Sequence, residues 1–114
     1  MMIEGSQIDW SGHANQAMPL LSEMEDFDKT IKRVYEFAKK DKETLVIVTA
    51  DHETGGFAIN PGSKTKHING VFTTNGHTAT MVPVFAYGPQ SELFGGIYDN
   101  TQIYFKMKKA LGLE

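Results

Sequence analysis

The run "TLVIVTA" at positions 44–50 is apolar at successive positions and rich in β-branched side chains, and Asp51, His52 and Glu53 follow it directly. A strand with no polar face predicts burial on both sides, as in a sheet covered by helices. Ligands of open α/β sheets gather beyond the carboxyl ends of their parallel strands. The stretch "TADHETGG" therefore sets groups that bind metal or move protons where a buried strand ordinarily gives way to plain turn residues.

The rest of the chain is read around that strand. "MMIE" at 1–4 begins with apolar residues and predicts a short buried strand. "GSQIDWSGHANQ" reads as a loop turning into a short helix near Gly12 to Met18, and Pro19 discourages that helix from continuing. From Phe27 to Lys40 the residues Phe27, Ile31, Val34 and Phe37 recur at helical spacing, which predicts an amphipathic helix capped by Asp26. Strand, helix and strand in this order form a βαβ unit with parallel strands. "PGSKTKHING" at 61–70 is a polar, turn-rich excursion. "MVPVFAYG" at 81–88 is a further strand, with Pro83 favouring a sheet edge or a bulge. The last element is a helix from about Asn100 to Leu111, with Ile103, Met107, Ala110 and Leu111 on one face. Asp99 and Gln102 resemble a capping box there, and Gly112 suits the C′ position. The expected class is α/β, a mixed and mostly parallel sheet flanked by helices.

On this plan Glu4, Asp51 and His52 end parallel strands at one sheet edge, and Asp9 and His13 leave the first strand at the same edge. His77 joins them if the strand at 81–88 runs antiparallel to the others, which is the expected orientation. Each group also has a plain role: Asp9 as a helix cap, Asp51 as a turn cap, Glu53 as a solvated loop acid, and His67 as an exposed side chain in a polar loop. The conjunction of six candidate ligands favours metal chemistry. Two cations about 3.5–4 Å apart can clamp the attacking and leaving oxygens of an in-line displacement.

Composition narrows the partners. The 114 residues include no cysteine, so any metal must be held by His, Asp and Glu, a donor set that suits zinc and, through its oxygens, magnesium. A net charge of -3 argues against nucleic acid as the main partner. No apolar run approaches the ~18 residues of a membrane span. The first residues carry no signal-type stretch, and "MMI" reads as the end of a strand, so the chain is expected to be a carboxy-terminal piece.

"IEGSQIDWSGHAN", "TLVIVTADHETGG", "GHTATMVPVFAYGP" and "TQIYFKMKKALGL" together resemble consecutive motifs of the alkaline phosphatase family, in family order and over nearly the whole chain. Single pieces of this kind also occur in related mutases and phosphodiesterases, and the glutamate of "IEGSQID" narrows the resemblance. The resemblance implies a partial alkaline phosphatase-like three-layer fold over 1–114. It implies Asp9, His13 and His77 as ligands of a first zinc, Asp51 and His52 as ligands of a second, and Glu4 as a ligand of magnesium. It also implies a phosphate monoester substrate, a phosphoserine pathway, and a periplasmic or secreted setting. Trp10 stands where some members carry Lys or His.

The pattern is incomplete. None of Ser6, Ser11, Ser22, Ser63 and Ser91 lies in an Asp-Ser-Ala motif, and Arg33, the one arginine, sits on the amphipathic helix. The chain alone is therefore expected not to catalyse, since covalent catalysis needs its nucleophile. A free-standing zinc-binding domain, or a piece of a mutase or phosphodiesterase, is the alternative. Uncovered strand edges and helix faces would lead such a piece to associate with itself.

Overall fold

A computed structural model describes residues 1–113. They group into two compact units, one made of residues 1–29 and 52–81, the other of residues 30–51 and those from Val82 onward.

In the first unit, helix α1 (Ser6–His13) ends in a Schellman turn. Asn15 takes φ 52°, its N–H bonds Gly12 O at 3.0 Å, and Gln16 N–H bonds Ser11 O at 3.0 Å. Helix α2 (Ala17–Asp41) starts directly afterwards. Four short strands follow in this unit: β2 (Glu53–Thr54), β3 (Ala58–Ile59), β4 (Gly70–Val71) and β5 (His77–Thr78). β3 pairs antiparallel with β4, and the polar excursion forms the tip of that hairpin, closed by reciprocal backbone bonds between Lys64 and His67. β2 pairs antiparallel with β5, Glu53 opposite Thr78 and Thr54 opposite His77. Gly12 lets α1 reach this ladder: a Cβ there would meet both the Cγ2 and the carbonyl oxygen of Thr54 at 3.0 Å.

In the second unit, β1 (Val46–Val48) pairs antiparallel with β6 (Phe85–Tyr87), with Ile47 opposite Ala86. The antiparallel course of β6 against β1 is the one expected. The later half of α2 turns Ile31, Val34 and Ala38 inward, and the Tyr35 ring meets that of Tyr87 edge-on at 4.6 Å. A 3-10 turn at Ser91–Phe94 buries Phe94, and α3 (Gln102–Ala110) follows. Lys106 ties α3 to that turn: its ammonium donates to Leu93 O at 2.6 Å and lies 4.1 Å over the Tyr98 ring. Gly112, at φ 65°, closes α3 as the expected C′ residue, with Gly112 N–H to Lys109 O at 3.1 Å and Leu113 N–H to Lys108 O at 3.0 Å.

Several expectations change. Residues 1–4 are exposed and form no strand, so no βαβ unit is closed and every ladder among the described residues is antiparallel. A strand exists only where a neighbour shares its hydrogen bonds, and β1 shares its ladder with β6 alone. β1 is accordingly half-buried rather than covered on both faces. The first helix begins six residues earlier than expected and carries both Asp9 and His13. Pro19 does not break α2, because in the first turn its missing N–H would have had no helical partner anyway. Asp26 therefore lies inside α2, bonded to Lys29 at 3.0 Å, rather than capping it. Phe37 is exposed, and Ala38 occupies the buried position of that turn. Thr101 is the N-cap of α3, and the Asp99 carboxylate accepts from Thr101 N–H at 2.9 Å and Thr101 Oγ1 at 2.7 Å in the turn before it, in place of the expected capping box with Gln102. Those two donors hold the Asp99 carboxyl below the usual aspartate range, the hydroxyl contributing most.

The apolar residues buried among the described ones are only Leu20, Ala38 and Phe94. Phe94→Ala is expected to cost about 3 kcal/mol, read as a lower urea midpoint with an unchanged slope.

Candidate metal centre

Asp9 and His13 are four residues apart on α1, so they share a face of the helix. Asp9 also lies in the first turn, where the helix dipole favours a carboxylate. His13 Nε2 stands 3.5 Å from Asp9 Oδ1. The β2–β5 ladder brings His77 to the same place: its Nε2 is 3.2 Å from His13 Nε2 and 3.8 Å from Asp9 Oδ1. His52 stacks on His77, ring centroids 3.5 Å apart and planes 20° from parallel. Ligand atoms of Asp9, His52 and His77 all lie within 4.8 Å of one another.

Proton bookkeeping assigns the ring nitrogens. Asn75 O sits 2.7 Å from His13 Nδ1, and a carbonyl only accepts, so Nδ1 carries the proton and the Nε2 of a neutral His13 keeps its lone pair. Thr54 has one hydroxyl proton. The Asp9 carboxylate, 2.5 Å away, can only accept and therefore takes it. Toward His52 Nδ1, at 3.2 Å, the Thr54 oxygen is then the acceptor, so Nδ1–H donates and the lone pair of a neutral His52 lies on Nε2. Both rings are held in the tautomer that exposes Nε2, the arrangement outer-shell partners impose on metal-ligating histidines.

The distances fit a cation. Zinc about 2.0–2.1 Å from each donor sets tetrahedral ligand atoms about 3.3–3.4 Å apart. Asp9 Oδ1, His13 Nε2 and His77 Nε2 are 3.2–3.8 Å apart. With the His13 Nε2 lone pair facing His77 Nε2 at 3.2 Å, either a proton on His77 Nε2 or a cation lies between the two nitrogens. The three side chains are 38–48% exposed, so the centre is open on one side and leaves room for a further ligand.

Four of the six expected residues, Asp9, His13, His52 and His77, thus come together, all within the first unit. Glu4 and Asp51 are exposed. The assembly does not depend on parallel strand ends: an antiparallel two-residue ladder positions His52 and His77. The i, i+4 spacing of Asp9 and His13 in "DWSGH" was the sequence signal for their shared helix face. Thr54 carries no such signal, because its role depends on the close approach of α1 to β2. Glu53 is no solvated acid: it is half-buried, accepts from Phe57 N–H at 3.2 Å, and takes the Thr78 hydroxyl proton.

Thr54→Val keeps the shape of the side chain and removes the bridge between Asp9 and His52. Above about pH 8, where imidazoles are neutral, long-range ¹H–¹⁵N spectra of the wild type are expected to show His13 and His52 as Nδ1–H tautomers. In the variant His52 alone is expected to move toward a mixed population.

Comparison with known proteins fits this geometry. Residues 1–71 and 62–113 match the family described as Alkaline phosphatase, the two stretches overlapping on the β3–β4 hairpin. Alkaline phosphatase 3 of Bacillus subtilis is 33% identical over 97% of this chain and 39% of its own length. Alkaline phosphatase of Escherichia coli K12 is 32% identical over 100% of this chain and 28% of its own. The chain therefore spans between a quarter and two-fifths of these relatives. The structure of alkaline phosphatase from the Antarctic bacterium TAB5 superposes with a TM-score of 0.87 at 54% identity, over 97% of this chain and 34% of that one. A His 135 Glu mutant of the TAB5 enzyme, described with Mg bound in its M3 site, superposes with a TM-score of 0.88 at 52% identity, over 97% of this chain and 35% of that one. The fold is an alkaline phosphatase-like α/β fold, and the chain belongs to the alkaline phosphatase family.

Proposed function

We propose that this chain is the carboxy-terminal, ligand-bearing part of an alkaline phosphatase that hydrolyses phosphate monoesters in the periplasm or outside the cell. In this reading Asp9, His13 and His77 hold one zinc, His52 and Asp51 contribute to a second, and Glu4 contributes to a magnesium site. The observation that carries it is the meeting of Asp9 Oδ1, His13 Nε2 and His77 Nε2 at 3.2–3.8 Å, with the His13 lone pair directed inward by Asn75.

Zinc, when bound, supplies Lewis-acid polarisation of a phosphoryl oxygen and lowers the pKa of a bound water. The residues of this chain do the holding. The Asp9 carboxylate offsets part of the metal charge while Thr54 fixes its orientation. His13 and His52 are locked by their Nδ1 hydrogen bonds, so little rotational freedom is lost on binding. The exposed side of the cluster admits a substrate oxygen. The nucleophile and the group that binds the phosphoryl oxygens are not among the residues of this chain that match the family pattern, so turnover belongs to the longer protein.

Calorimetric titration with Zn²⁺ is expected to show one tight site in the wild type and its loss in His77→Ala. The zinc-loaded chain is expected to release no more phosphate from a chromogenic phosphate ester than free Zn²⁺ does. Absence of zinc binding, or serine-dependent turnover by the chain itself, overturns the reading.

Self-association is part of the same proposal. Trp10, Phe37, Phe85, Ile97, Tyr104, Phe105 and Leu111 are all more than half exposed, and an apolar surface of that extent favours association. Light scattering is expected to give a mass above 12.7 kDa that rises with concentration. A constant monomer mass overturns this part.

A further inference from the structure

We infer that Glu53 and Thr78 form a clamp on the back of the β2–β5 ladder that positions His52 and His77 for the metal. The inference rests on the metal reading above and assigns a role to two residues that reading leaves unused. Successive side chains of a strand point to opposite faces, and cross-strand partners share a face. Thr54 and His77 are partners and occupy the face where Asp9 lies. Glu53 and Thr78 are the other pair, so they occupy the opposite face.

On that face the Glu53 carboxylate closes two separate connections. Its Oε2 accepts the Thr78 hydroxyl proton across the strands, and its Oε1 accepts Phe57 N–H at 3.2 Å, which fixes the turn leaving β2. Thr78 Oγ1 is also 3.2 Å from Thr80 Oγ1, which extends the connection along the chain beyond β5. A ladder of two residues per strand has little stability of its own. Gly55 N–H to Gly76 O, at 2.9 Å, is the adjoining backbone bond. The two clamp residues each follow a histidine in sequence, Glu53 after His52 and Thr78 after His77. Splaying of this pair therefore moves both imidazoles. Glu53 and Thr78 are positioning residues: neither side chain belongs to the metal-facing group.

The test is zinc affinity of the full chain, measured by competition with a chromophoric chelator, beside urea unfolding of each zinc-free variant. Thr78→Val keeps the β-branched shape and removes only the hydroxyl; it is expected to weaken zinc binding about 10-fold or more, the usual cost of losing an outer-shell partner. Glu53→Ala is expected to do the same. Glu53→Gln can still accept from Phe57 N–H and can donate its amide to Thr78 Oγ1, so it is expected to bind within about threefold of the wild type. Wild-type affinity in Thr78→Val and Glu53→Ala overturns the inference, including the case where only the unfolding midpoint falls. A loss in Glu53→Gln as large as that in Glu53→Ala overturns it as well, since charge rather than clamping would then be responsible. A wild type that takes up no zinc removes the metal reading and this inference together. A wild type that binds while the variants bind equally well removes this inference alone.

Discussion

The hydrogen bond from Thr54 Oγ1 to Asp9 Oδ1, 2.5 Å long and joining residues 45 apart in sequence, is the contact on which the centre depends. It fastens α1 to β2 at the point where Gly12 removes the side chain that would hold them apart. It also commits the only proton of Thr54, and that commitment decides the tautomer of His52. One hydroxyl therefore orients a carboxylate and an imidazole together. Replacement of Gly12 by any larger residue would act on the same contact, because an added Cβ falls 3.0 Å from Thr54.

The residue types of the centre were legible in the sequence, and so was the later part of α2, from Phe27 to Lys40. Asp9, His13, His52 and His77 are groups whose chemistry sets them apart in a chain with no cysteine. The route by which they meet was not legible. Strand ends in a parallel sheet were the expected means, because "TLVIVTA" has the composition of a strand covered on both faces. Composition reports what a segment can tolerate on its faces, whereas pairing depends on which neighbour supplies the hydrogen bonds. β1 finds β6, and the residues at 1–4 find no strand.

The same distinction explains Glu53. As a charged residue between a histidine and a Gly-rich turn it has the composition of a solvated loop acid. The register of β2 on β5 sets it against Thr78, and the bend after β2 sets it against Phe57 N–H. Both partners are donors, and a carboxylate is the side chain that accepts twice. Two-residue strands carry almost no periodic signal, so this register lay beyond what alternation could show.

How locally the centre is built bears on what this chain can hold by its own contacts. Asp9, His13, His52 and His77, with Thr54 and Asn75 behind them, all belong to the unit made of residues 1–29 and 52–81. Their positions follow from one helix, one short ladder and the turn before β5, each closed by its own hydrogen bonds. The apolar faces of α3 and β6 are different in kind. Phe85, Tyr104 and Leu111 on or beside them are exposed, which favours whatever surface covers them. A candidate metal-binding cluster held by short-range hydrogen bonds can form in a chain that exposes apolar surface elsewhere.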